Sequence, residues 1–210
     1  MLPHMALEVK NISYKYPQGD IVLDALSLQV NDGELLGLVG PSGCGKSTLL
    51  HCIAGLIEID AGAIRIDGTS MNSVKPHKRG IGIMMQDQPL YEHLSVEQNI
   101  AFPLQTRGKK ATTVPEIMEQ LDLWEIAKRK VAKCSGGERR RVALARAVIL
   151  QPRVLLLDEP FISIDPSLRE TMKQYIQSLH TELQSSTIIV SHYHEELESL
   201  CTQTLSMDEM

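Results

Sequence analysis

Eight residues constrain this chain more than any others: Gly40-Pro41-Ser42-Gly43-Cys44-Gly45-Lys46-Ser47. They fit the pattern G-x-x-x-x-G-K-S, and their neighbours supply the context that the pattern requires. A strong turn at Asn31-Asp32-Gly33 leads into Glu34 to Val39, which reads as a buried strand. Lys46 to Leu56 then reads as a helix. Strand, loop and helix in that order make a phosphate cradle. Glycines let backbone N–H groups approach an anion and tolerate the dihedrals of such a nest. The helix start aims its positive dipole end at the same point. Lys46 is placed to reach the β- and γ-phosphates of a nucleotide, and Ser47 to ligate Mg²⁺. Cys44 sits inside the loop, where a helix N-terminus can lower a thiol pKa. The plainer reading of Cys44 is a small filler residue.

A second segment completes the chemistry. Val154-Leu155-Leu156-Leu157-Asp158-Glu159-Pro160 is an apolar strand ending in two carboxylates. In α/β sheets ligands bind at strand ends. Asp158 can hold Mg²⁺ through water, and Glu159 can polarise an attacking water beside the γ-phosphate. A strand ending in Asp-Glu is by itself a common surface feature, so the assignment rests on its pairing with the phosphate loop.

The remaining pattern is that of a parallel α/β core interrupted by helices. Leu7 to Tyr16 and Ile21 to Val30 alternate apolar and polar residues as half-exposed strands do, with a turn at Pro17-Gln18-Gly19-Asp20. Gly62 to Asp67 is a further strand. From about Gln86 to Lys133 helical patterns dominate, over Ser95 to Ile100, Val114 to Leu121 and Leu123 to Ala132. Ser135 to Leu150 is a long helix, Pro166 to Leu183 a helix, Thr187 to Val190 a strand and His194 to Leu200 a helix. Met5 is a candidate start, and the ending at Met207-Asp208-Glu209-Met210 reads as truncated.

Composition narrows the function classes. The net charge of −5 argues against general binding to DNA or RNA, so no nucleic-acid partner is expected. None of Cys44, Cys52, Cys134 and Cys201 forms a C-x-x-C pair, which fits a reducing compartment rather than a zinc centre. His192-x-His194 lacks further metal ligands. No apolar run approaches the roughly 18 residues that span a bilayer, and the N-terminus lacks a signal-peptide pattern.

With these motifs in order, the chain resembles the nucleotide-binding subunits of ABC transporters over nearly its whole length. Cys134-Ser135-Gly136-Gly137-Glu138, followed by Arg139 to Ala147, looks like the family signature and its helix, although the same residues also read as an ordinary helix N-cap. The resemblance implies an α/β P-loop NTPase fold with a parallel sheet, an N-terminal antiparallel β subdomain and a helical subdomain. These form one domain over 1–210, with the core and β subdomain at about 1–85 and 150–210 and the helical part at 86–149. It implies ATP and Mg²⁺ as ligands. ATP contacts fall on Tyr16, with Tyr14 a competitor, and on Gly40 to Thr48. From a second copy they fall on Ser135, Gly136, Gly137, Glu138 and Asp165. Glu159, His192 and Gln86 are the catalytic residues, and Ser47, Gln86 and Asp158 the Mg²⁺ residues. His192 alone would read as a surface histidine.

The resemblance further implies two ATPase subunits, a homodimer or a paralogous pair, docked head to tail around two ATPs. Integral-membrane permease subunits are expected partners, meeting Pro89 to Val96, with a solute-binding protein beside them. That places the chain in the cytoplasm, on the inner face of the membrane. Importer-like segments run over Pro89 to Ile100 and Asp165 to Arg169. The alternatives are an exporter subunit, a soluble ABC ATPase of translation or DNA repair, and a small-molecule P-loop kinase. The family pattern is departed from at Cys134, Glu138, Ser163-Ile164 and Tyr193, and Glu138 adds negative charge near the phosphates.

Overall fold

Period-two alternation at the N-terminus produces β1 (Met5–Lys15) and β2 (Ile21–Asn31), an antiparallel pair. β3 (Leu35–Val39) and α1 (Lys46–Ala54) flank the glycine-rich loop. β4 (Ala61–Ile66), the two-residue β5 (Thr69–Ser70) and β6 (Ile81–Met84) follow. Three helices come next: α2 (Val96–Thr106), α3 (Val114–Gln120) and α4 (Gly136–Val148). β7 (Val154–Asp158), α5 (Pro166–Leu183), β8 (Ser186–Val190), α6 (His194–Glu198) and β9 (Gln203–Ser206) complete the order. The computed structural model describes residues 5–87, 89–108, 110, 112–162, 164–192 and 194–209. The readings made above on Ser163, Tyr193 and Met210 lie outside the described residues.

The strands form two sheets. One is antiparallel, in the order β2-β1-β4-β5, and the other has the order β6-β7-β8-β3-β9 with parallel neighbours throughout. β3, β7 and β8 are buried on both faces, so their alternate residues enter two different cores. Leu36, Leu38, Leu156, Ile188 and Val190 pack with α1 and the antiparallel sheet, against Leu7, Leu23, Leu50 and Ile53. Leu35, Leu155, Leu157 and Ile189 pack with the helices, against Ile100, Leu144 and Ile176. Burying each such side chain stabilises the fold by about 1.5–3 kcal/mol. A one-residue slip of any of these strands would exchange the two sets.

The helical segment docks closely. A Cβ added at Gly82 in β6 would lie 2.2 Å from the carbonyl oxygen of Ala147 in α4. Only glycine allows that approach, and it fixes α4 against the strand that leads to Gln86.

Several expectations need correction. Leu123 to Ala132 is not a helix. It contains a short 3₁₀ turn at Trp124–Ile126 and leads into another at Val131–Lys133. The buried residues Leu123, Ile126 and Val131 imitate a helical stripe. Their backbone is instead satisfied by the chain before α2: Val96 N donates to Arg129 O at 3.0 Å and Val131 N to Leu94 O at 3.1 Å. α2 continues past Ile100 to Thr106, with Pro103 inside it. β5, β6 and β9 had no clear signal. β6 is four residues long and carries a glycine, while β9 is a partly exposed edge strand with polar positions.

Candidate functional site

The loop between β3 and α1 is built around glycines that no side chain could replace. Gly45 caps α1 at φ 100°, with no side-chain cap bond. A Cβ there would stand 3.1 Å from Val22 O. The first-turn amides of α1 are therefore presented without a competing side-chain oxygen, the arrangement that favours an anion. Lys46 is buried, and its Nζ donates to Gly40 O at 2.7 Å and Pro41 O at 2.9 Å. Cys44 Sγ lies 3.7 Å from the same ammonium. The Cys44 side chain packs at the margin of the core, as a filler residue does.

The second half of the site hangs from the ends of β7 and β8. Ser47 Oγ donates to Asp158 Oδ1 at 3.1 Å, which ties the start of α1 to the end of β7. Burial pushes the Asp158 carboxyl above the usual carboxylate range, and the Ser47 hydroxyl and His51 only partly offset that. Glu159 follows at φ 50°, a left-handed conformation uncommon for a side-chain-bearing residue. Its N–H donates to Val190 O at 3.0 Å, so the neighbouring strand holds the bend. Glu159 Oε2 lies 3.0 Å from His192 Nδ1.

One cleft of about 500 Å³ gathers most of the expected residues. Ser42, Gly43, Gly45, Lys46, Ser47 and Thr48 line it from the loop and the start of α1, Gln86, Glu159 and His192 from the strand ends, and Tyr16 from just beyond β1. Tyr16 is 41% exposed, and its hydroxyl is 3.2 Å from Thr48 Oγ1. Tyr14 packs edge-on against Tyr16 and into the core instead. Of the two tyrosines, Tyr16 faces the cleft.

The signature residues stand elsewhere. Ser135 caps α4 through a capping box: its Oγ accepts from Glu138 N at 3.2 Å, and Glu138 Oε2 accepts from Ser135 N at 2.7 Å. Glu138 also pairs with Arg129 at 2.9 Å. Burial acts to raise its pKa, but the Ser135 amide and Arg129 hold it below the usual range. The charge of Glu138 is thus engaged at the helix start. Asp165 caps α5, accepting from Ser167 N and Leu168 N at 3.1 Å each. Neither Asp165 nor any of Ser135 to Glu138 lines the cleft of its own chain.

Sequence reasoning missed Val22, His51 and Arg140 as contributors. Val22 and Ile162 line the cleft as apolar walls. His51 and Arg140 line an adjoining cavity with Asp158. His51 lies one helical turn beyond Ser47 in α1, a spacing that could have marked it.

The donor set fits a magnesium nucleotide. An uncapped helix start and the Lys46 ammonium suit phosphate oxygens, and a buried carboxylate next to a hydroxyl suits a hard dication. Among the described residues no three His, Cys, Asp or Glu side chains group for a metal by themselves. A magnesium ion would therefore rest on Ser47 and Asp158 together with oxygens of the nucleotide and water.

A glycine-rich loop at the end of a parallel strand, facing an Asp-Glu strand end, defines a P-loop protein. The description "ABC transporter" matches residues 23–162 of the chain. The chain belongs to the ABC transporter family. It is 38% identical over 207 residues to an sn-glycerol-3-phosphate import ATP-binding protein of Psychromonas ingrahamii, covering 97% of this chain and 56% of that protein. It is 40% identical over 208 residues to a sulfate/thiosulfate import ATP-binding protein of Synechocystis, covering 97% of this chain and 58% of that one. The chain thus spans less than two thirds of the length of these relatives. The ATP-binding cassette MJ0796, in a dimeric post-hydrolysis state bound to ADP and Pi, superimposes with a TM-score of 0.84 at 26% identity, covering 95% of this chain and 93% of that one.

Proposed function

We propose that the chain is the ATP-binding and ATP-hydrolysing subunit of an ABC transporter of the import type. The observation that carries the reading is the single cleft onto which Lys46, Ser47, Gln86, Glu159 and His192 converge. Gly40 to Thr48 bind the phosphates, Tyr16 stacks on adenine, and Ser47, Gln86 and Asp158 hold Mg²⁺. Bound magnesium would neutralise charge on the phosphates. Glu159 accepts a proton from the attacking water, and His192 orients that carboxylate and reaches towards the γ-phosphate.

Ser135, Gly136, Gly137, Glu138 and Asp165 act on the nucleotide of a second copy, or of a paralogous subunit, docked head to tail. Their distance from the chain's own cleft favours that role. ATP buried between two copies supplies the contact, and loss of the γ-phosphate weakens it, giving a two-state element driven by hydrolysis. In this reading the core and β subdomain occupy about 1–85 and 150–210, and the helical subdomain 86–149.

No described helix is long and apolar enough to cross a membrane. In this reading integral-membrane permease subunits are its partners in transport. An exposed groove of about 520 Å³ lined by Pro89, Tyr91, Phe102, Pro103 and Arg146 supports a permease contact beside Pro89 to Val96. The chain then sits on the cytoplasmic face of the membrane, and a solute-binding protein delivers cargo on the other side. The importer names of its relatives support the direction.

The test is phosphate release from ATP by the purified chain, alone and with a membrane permease. Slow turnover alone, faster turnover with the permease, and at least about 100-fold weaker ATP binding in Lys46→Ala are expected. Unchanged nucleotide affinity in Lys46→Ala would overturn the assignment of the loop.

A further inference from the structure

A second cavity, of about 450 Å³, adjoins the P-loop cleft. The two share Ser47, Gln86 and Ile162, and the second adds His51, Asp87, Arg140 and Asp158. Arg140 projects from α4, whose start carries the signature. It is 7% exposed. Among the described residues its guanidinium has no hydrogen bond or ion pair, and its Nε is fully buried. His51 Nε2, on the same cavity, is also buried without a partner.

A buried guanidinium without a hydrogen-bonded partner is costly to the fold, and an anion that bonds to it offsets that cost. Its planar fork matches two oxygens of a tetrahedral oxyanion, and the histidine ring can donate to a third. The product of hydrolysis next door is such an anion. We propose that Arg140 and His51 form an oxyanion subsite that receives inorganic phosphate leaving the P-loop cleft. The identity of the anion rests on the ATPase reading above. Asp87 and Asp158 line the same cavity and oppose an anion. The Ser47 hydrogen bond engages Asp158, and the carboxylate of Asp87 makes no ion pair with Arg140 among the described residues.

Inorganic phosphate alone tests this, by calorimetry or phosphorus NMR on the nucleotide-free chain. Lys46→Ala serves as the background, so that the P-loop does not mask the subsite. Phosphate binding persists in Lys46→Ala, weakens about tenfold on adding Arg140→Gln, the loss of one charge-assisted hydrogen bond, and recovers in part with Arg140→Lys. Should Arg140→Gln not fold, His51→Leu in the same background is expected to weaken phosphate several-fold. Absence of phosphate binding in Lys46→Ala, or affinity unmoved by the Arg140 and His51 changes, overturns the subsite. No ATP enters this measurement. A chain that fails to hydrolyse ATP would sink the ATPase reading separately.

Discussion

His192 Nδ1 stands 3.0 Å from Glu159 Oε2, and the register of two parallel strands sets that spacing. Glu159 follows β7 and His192 follows β8, where Asp158 pairs with Val190. The bond from Glu159 N to Val190 O turns the chain at φ 50° and points the carboxylate at the imidazole. A general base held by a second residue is oriented before the water arrives.

Replacing His192 by Ala removes that orientation but no contact of the P-loop. Turnover is expected to fall by about 10²-fold, with nucleotide affinity changed by no more than about threefold. Steady-state kinetics together with equilibrium binding separates the two. Equal losses in both would mean that His192 serves binding instead.

Tyr16 and Tyr14 make opposite predictions although they pack edge-on against each other. Tyr16 faces the cleft, so Tyr16→Ala weakens ATP about tenfold, in keeping with roughly 1–3 kcal/mol for an aromatic stacked on a base. Tyr14 packs into the core, so Tyr14→Ala lowers the melting temperature and leaves affinity nearly unchanged. Titration with a fluorescent ATP analogue and a thermal melt of each variant decide the matter.

Burial raises the pKa of Asp158 in the folded state above the ordinary aspartate value. The folded protein then holds this proton more tightly than the unfolded chain. The stability linked to Asp158 is full below the unfolded value and is lost as pH rises through the raised folded one. Asp158→Asn is therefore expected to melt higher than the wild type at pH 7 without nucleotide, and the gap should close as pH falls towards 4. Magnesium nucleotide binding should be impaired in the same variant. Melting curves across pH read the sign, and a variant less stable at pH 7 would refute it.

Much of the site was legible from residue types at fixed spacing. Gly40 to Ser47 and Val154 to Glu159 carry their chemistry in the motif, because a phosphate nest and a strand-end carboxylate tolerate few substitutes. The parallel core was legible because β3, β7 and β8 are continuous apolar runs. What escaped depends on contacts far apart in the chain. β9 forms because β3 offers it an edge, and Leu123 to Ala132 avoids a helix because Leu94 and Val96 take its backbone bonds. The choice between Tyr14 and Tyr16 depends on where β1 ends: Tyr14 lies within it, and Tyr16 lies just beyond Lys15, beside Thr48 of α1. Arg140 was hidden for the same reason: its run Glu138-Arg139-Arg140-Arg141 looks uniformly polar, yet helical rotation buries Arg140.

The central claim is that Glu159 drives hydrolysis in a site closed by a second copy. It is tested most directly with Glu159→Gln, which keeps shape and loses the base. Sedimentation or size-exclusion chromatography with Mg-ATP should show the variant shifting from monomer to dimer, with turnover lowered at least about 100-fold. Adding Ser135→Arg should return it to monomer while ATP still binds. A Glu159→Gln chain that hydrolyses ATP at the wild-type rate, or that binds ATP and stays monomeric, would contradict the account.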